Sequence, residues 1–155
     1  YSTGGCAGAA LAFNEKTVYK ERLQEKEMQG SKIEQQRKNL VNMGVLAPDE
    51  ELYGSSSINY AEKLVGKFGV WRQGGAVIFT DRRLILSKGV SGQYIYIPYD
   101  CIKRLEKCNQ GFFPIGLVIT YEDRETKEMA CDKISFMKRK KWLGILSDKT
   151  GLPCL

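Results

Sequence analysis

Residues 74–89 read GGAVIFTDRRLILSKG. Two runs of β-forming residues, AVIF and LILS, flank the polar tetrad TDRR. Side chains alternate across a strand, so Val77 and Phe79 share one face, and Leu84 and Leu86 pack beside them from the next strand. The tetrad then reads as a hairpin corner. Thr80 and Asp81 carry side-chain oxygens that accept nearby backbone N–H groups, which favours a tight turn. Arg82 and Arg83 are expected to leave this corner toward opposite faces, keeping their charges apart and the corner wet.

Outward from this hairpin the same texture continues. Short apolar runs broken by Gly, Pro, Asp and Asn extend from Pro48 to about Asp132, and they predict strands near 51–59, 75–80, 83–88, 93–98, 101–108, 115–121 and 126–131. In QYIYIPYD, Tyr94 and Tyr96 take one face and Ile95 and Ile97 the other, and Pro98 ends the run because it lacks an amide donor. The residues EDRET form the tip between the last two strands. From KISFMKRKKWLGILSDKTG a terminal helix is expected, with Ile134, Met137, Trp142, Ile145 and Leu146 near helical spacing, Asp132 as its cap, and Gly151 and Pro153 as its stop. Seven strands in series suggest a meander curled into a small barrel or sandwich.

Residues 14–44 differ in character. They are rich in Glu, Lys, Gln and Arg, which favour helix. Asn14 is the expected cap and Gly44 the expected stop. Apolar residues Phe13, Val18, Leu23, Met28 and Ile33 recur every five positions, which builds no single helical face. An exposed linker helix, interrupted at Gly30-Ser31, fits this pattern. The chain therefore reads as a tail and linker helix at 1–45 followed by a domain at 46–155.

The 155 residues carry 24 Lys and Arg against 18 Asp and Glu, a formal charge of +6 that favours anionic partners or simple solubility. No stretch is apolar for the ~18 residues that a membrane span requires. There are five cysteines and no histidine. The cysteines lack paired spacing, which argues against structural zinc and disulfides and for a reducing compartment, with Cys101 and Cys131 as small buried residues. The chain opens on Tyr1, which implies a segment upstream. Cys6 follows two glycines as in a lipoprotein cleavage site, but no leucine-type residue stands before it.

Taken together, GGAVIFTDRRL at 74–84, IPYDCIKRL at 97–105, LVITYED at 117–123, a terminal helix with a tryptophan, and the entry LAPDEELYG at 46–54 resemble the pleckstrin-homology-like superfamily, especially GRAM and bacterial PH domains. The resemblance covers about 46–152. It implies a seven-stranded antiparallel barrel-like sandwich capped by one C-terminal helix. It also implies a binding module, although the second strand, GGAVIF, has no basic residue and so departs from the phosphoinositide-binding signature.

Catalytic constellations are poor. Without histidine there is no Ser-His or Cys-His pair. Glu122, Asp123 and Glu125 cluster, but a solvated hairpin tip does not shift a carboxylate pKa. GKFGVWRQGG at 66–75 lacks the phosphate-loop pattern. The expectation is a protein that is not an enzyme and needs no cofactor. Three stretches suit binding. Lys138, Arg139, Lys140 and Lys141 precede Trp142 and form either a solvated helix face or a membrane-facing cluster. Lys63, Lys67, Phe68, Trp71 and Arg72 mix charge with aromatics between the first two strands, as a packed strand extension or a contact loop. Phe112 and Phe113 at GFFP form a membrane wedge, a partner contact or a plug in one end of the barrel. The partner expected is an anionic phospholipid surface or a membrane-proximal protein, with the domain cytoplasmic and peripheral at the inner face of the membrane. The alternative is protein interaction or homo-oligomeric self-assembly without lipid. Nucleic acid ranks third, because stacking aromatics on a basic sheet face are missing.

Overall fold

The computed structural model describes residues 3–89 and 93–155, without the side chains at 3–19, 25, 26, 29 and 64; the reading of Cys6 concerns a side chain outside those described. The chain divides into two compact units, Tyr1–Pro48 and Asp49–Leu155.

The first unit is built on helix α1, Thr3–Asn42. It starts well before Asn14 and passes through Gly30 without a break, correcting both expected boundaries. A lone glycine costs about 1 kcal/mol in a helix interior, and the Glu, Gln and Lys around it propagate the turn. The stop at Gly44 holds. Gly44 takes φ +76°, its N–H donates to Val41 O at 3.0 Å, and the Val45 N–H donates to Leu40 O at 2.9 Å. Only glycine adopts that φ without strain, and the paired bonds satisfy two carbonyls of the last turn.

The second unit contains β1 (Leu52–Ala61), β2 (Lys63–Leu64), β3 (Lys67–Phe68), β4 (Arg72–Thr80), β5 (Arg83–Ser87), β6 (Tyr94–Pro98), β7 (Ile102–Gln110), β8 (Phe113–Glu122), β9 (Met129–Ser135) and helix α2 (Arg139–Thr150). Seven strands form one antiparallel sheet in the order β6-β5-β4-β1-β9-β8-β7, and β2-β3 is a separate small hairpin in the β1–β4 connection. The sheet is not closed into a barrel: β6 and β7 are its two ends. It curls because β1 is shared. That strand pairs with β4 from Leu52 to Tyr60, but with β9 only through Asn59, Tyr60 and Ala61. Both halves therefore face one core, in which Val77, Phe79, Leu84, Leu86, Ile97, Leu105, Leu117, Ile119 and Ile134 are fully buried. The expected pairs are present, Phe79 opposite Leu84 and Val77 opposite Leu86.

The TDRR corner is drier than expected. The Thr80 Oγ1 accepts from the N–H groups of Arg82 and Arg83, at 3.2 and 3.1 Å, which forms the turn. The same hydroxyl donates to Glu50 Oε2 at 2.6 Å. Glu50 is 1% exposed. Arg83 reaches it with two nitrogens, at 3.0 and 2.7 Å, while its guanidinium lies over the Tyr96 ring. Arg82 pairs with Asp49 at 2.6 Å, and the Glu51 N–H donates to Asp81 Oδ1 at 2.9 Å. The two arginines thus do not part toward opposite faces to stay hydrated. Both turn back and hold the entry segment Asp49–Glu51. The Tyr99 hydroxyl donates to Thr80 O at 2.7 Å, and burial pushes its phenol pKa up, so it remains a donor.

The β9–α2 boundary also differs. Ile134 lies in β9 opposite Leu117, and α2 begins only at Arg139. Asp132 is a buried strand residue, not a helix cap: it accepts from the Tyr121 hydroxyl at 2.7 Å and pairs with Lys88. Met137 is exposed, leaving Trp142, Leu143 and Leu146 as the core face of α2. Trp142 stacks flat on Phe79, with centroids 4.3 Å apart and planes at 2°. Gly54 makes room for it, since a Cβ there would stand 2.6 Å from Trp142 Cη2. The substitution Gly54→Ala is expected to push the indole off the stack and cost about 1–3 kcal/mol, the usual penalty of overpacking. A urea titration checks this, and an unchanged midpoint would show that the ring shifts freely.

Candidate functional site

The three sequence-predicted clusters are sorted by what the fold does with each side chain. In the run before Trp142, Arg139 is structural: its Nη1 donates to Cys108 O and Gly116 O, both at 3.0 Å. Lys141 lies over the Trp142 ring at 4.7 Å. Lys138 precedes the helix with φ +59°, and both it and Lys140 are exposed. The first turn of α2 has no acidic residue. Four cations at the positive end of a helix dipole oppose helix stability, by about 0.3–1 kcal/mol each where exposed. Only Arg139 repays that cost through bonds to the fold.

In the β1–β4 connection, Phe68 and Trp71 are half-buried, and Lys133 of β9 sits over both rings, at 5.5 and 5.2 Å. Phe68 lies in β3 and Trp71 just before β4. Lys63, Lys67 and Arg72 are exposed, and Lys63 Nζ stands 3.9 Å from Cys131 Sγ. Val65 at the β2–β3 tip and Val70 are strongly exposed as well. Cys131 is half-buried, with Thr120 Oγ1 at 3.4 Å, and is therefore less enclosed than expected; Cys101 is buried.

The β7–β8 turn resolves the third cluster. Gly111 takes φ +59° and turns the hairpin, leaving Phe112 101% and Phe113 66% exposed. They plug nothing, because the hairpin overhangs the core at this end. The Gln110 side chain ties the overhang down by accepting from Asn59 Nδ2 at 3.1 Å and from the Ser135 hydroxyl.

A depression of about 540 Å³ is lined by residues of β1, β4, β8, β9 and the β9–α2 connection, and by none of the predicted binding residues themselves. Its lining includes Gln73 beside Arg72, Met137 beside Lys138, and Ile115 two residues from Phe113. The Phe136 N–H donates to Ile115 O at 3.1 Å, which fixes the α2 approach against β8. Met137 lines the depression, exposed Lys138 follows it in the chain, and Phe112 stands next to Phe113 on the β7–β8 turn. Met137 was missed as a surface residue because Ile134 and Met137 sit three apart, as on a helix. The alternation of Ile134 and Phe136 around Lys133 and Ser135 was the strand signal that exposes it.

Burial pushes the thiols of Cys108 and Cys154 up, so neither is a ready thiolate near neutrality. Among the described residues no cluster of His, Cys, Asp or Glu could hold a metal ion, and no helix is long and apolar enough to cross a membrane.

No protein-family model matches the chain, and no curated protein is similar to it in sequence. Solved structures are similar to it in fold. The hSac2 domain from human phosphoinositide phosphatase Sac2 is 11% identical, covers 79% of this chain and 86% of its own, and superposes with a TM-score of 0.54. The C-terminal domain of an unknown protein from Leishmania infantum is 18% identical over 75% of this chain and 94% of its own, with a TM-score of 0.49. A DUF1696-family protein with a pleckstrin-homology domain, from Shewanella loihica PV-4, is 19% identical over 76% of this chain and 92% of its own, with a TM-score of 0.43. Such identities speak to the fold alone. With seven antiparallel strands curled around one core and a C-terminal helix against it, this chain has a pleckstrin-homology-like fold.

Proposed function

We propose that this protein is a non-catalytic, GRAM-type binding module that docks on an anionic membrane surface through the β7–β8 turn and the start of α2. The observation that carries this reading is the pair Phe112 and Phe113, standing in solvent at a turn. An exposed aromatic pair is unfavourable in water and suits insertion at a bilayer interface. The cations beside it supply the matching attraction. Lys138 and Lys140 are exposed, and each basic residue near an anionic bilayer contributes about 1 kcal/mol. The formal charge of +6 acts in the same direction.

Sedimentation with phosphatidylcholine vesicles, with and without phosphatidylserine, tests it. The wild type is expected to pellet only with the anionic vesicles, and less as salt rises. F112A/F113A and K138A/K140A should each weaken binding about tenfold while leaving stability unchanged, since the side chains are exposed. Equal and negligible pelleting with both vesicle types would refute the lipid reading.

A further inference from the structure

The two ends of helix α2 have opposite surroundings. Its start carries the basic run 138–141, whereas its last turns face the start of β1 across a cleft of about 510 Å³. Leu52, Tyr53 and Ile145 form the apolar part of the lining, and Glu51, Asp148 and Lys149 the charged part. Leu52 is buried, and Tyr53 and Ile145 pack against the core, so the floor is held in place. Glu51 is held through its backbone. Its N–H donates to Asp81 Oδ1 at 2.9 Å, and its carbonyl accepts from the Asp81 N–H at 3.1 Å.

This cleft already holds a cation. The Lys149 ammonium lies over the Tyr53 ring, 5.3 Å from its centroid. Tyr53 above all, with Asp81 and Glu51, raises the pKa of that ammonium. The negative end of the α2 dipole acts in the same sense. Lys149 does not use up the site, however. Glu51 and Asp148 are exposed and take no part in the salt bridges of the described residues. The lining thus sets two carboxylates against one ammonium, on a chain whose formal charge is +6.

We infer that this cleft is a docking site for a partner protein, taking an arginine side chain flanked by aliphatic residues. The guanidinium replaces the Lys149 ammonium on the Tyr53 face and bonds Glu51 and Asp148. A flat group with five donors serves a ring and two carboxylates together, which a compact ammonium does not. The methylene stem and the flanking residues lie along Ile145 and Leu52. The displaced Lys149 turns outward into water, where its side chain is already exposed. An anionic bilayer or a nucleic acid meets a net negative lining here and is repelled. None of these residues belongs to the proposed membrane contact, and Lys149 lies about 16 Å along α2 from Lys138 at 1.5 Å per residue. The two sites are therefore filled together and fail separately.

The test titrates the full chain with acetyl-Leu-Arg-Leu-amide and follows its backbone amides by NMR. The same peptide with citrulline, an uncharged isostere, or with lysine in place of arginine serves as control. Shifts are expected at residues 51–53 and 145–149, with the arginine peptide bound about tenfold more tightly than the citrulline one. E51Q/D148N should abolish that preference, and K149M, which removes the resident cation, should strengthen arginine binding about threefold. All three positions are exposed, and unchanged amide shifts elsewhere will show that the variants fold. Equal affinity for the citrulline or lysine peptide would overturn the proposal. So would shifts confined to other residues, an undiminished preference in E51Q/D148N, or weaker binding to K149M.

Discussion

Replacing Glu50 with alanine should cost the domain about 3–5 kcal/mol, the range for removing one partner from a buried ion pair. The reason lies in what would be left behind. The Arg83 side chain is 27% exposed and fastened by two nitrogens to the lost carboxylate, and the Thr80 hydroxyl would lose its 2.6 Å acceptor. The guanidinium cannot neutralise itself, because arginine stays charged in proteins. Partial exposure and the Tyr96 ring beneath it temper the loss, so the lower end of the range is expected. Guanidinium titration measures the effect. A second variant separates the pair from the site. E50L/R83L replaces both charges with apolar groups of ample size and should recover much of the stability, since a buried pair offsets its own desolvation only in part. A loss under about 1 kcal/mol for E50A would show that the pair is effectively solvated, as surface pairs are.

That pair also shows where sequence reading stops. The corner itself was legible, because Val77, Phe79, Leu84 and Leu86 alternate within a dozen residues and their period needs no tertiary knowledge. The role of Arg83 was not. Its partner lies 33 positions earlier and meets it only because β1 and β4 pair with Leu52 opposite Thr80. A motif containing acidic residues at 49–51 and another with arginines at 82–83 look unrelated until that register is known. The start of α2 failed for a different reason. Ile134, Phe136 and Met137 satisfy both periods, and pairing of Ile134 with Leu117 decides for strand. Phe112 and Phe113 were legible as a loop, but wedge or plug depends on whether the hairpin overhangs the core, which is a property of the whole sheet. Lys133 between Phe68 and Trp71 was hidden by the same misplaced helix.

Trp142→Ala should cost a further about 3–5 kcal/mol, measured separately, because a large buried aromatic leaves a cavity that its neighbours fill only in part. The neighbours are poorly placed to collapse. Phe79 is fully buried beneath the indole, and it also meets Phe136 at 6.2 Å on another side. Gly54 has no side chain to move inward. Helix α2 has only 12 residues, too short to persist alone in water, and its buried residues are Trp142, Leu143 and Leu146. Losing the first should therefore loosen the helix as well as the core, so limited proteolysis ought to cut W142A within 139–150 before it cuts elsewhere. W142F keeps part of the stack on Phe79 and should retain roughly half of the lost stability. If W142F were as unstable as W142A, fit to the Gly54 gap rather than aromatic stacking would be what α2 requires. If W142A unfolded at the wild-type midpoint, the indole would contribute nothing to the core against which α2 packs.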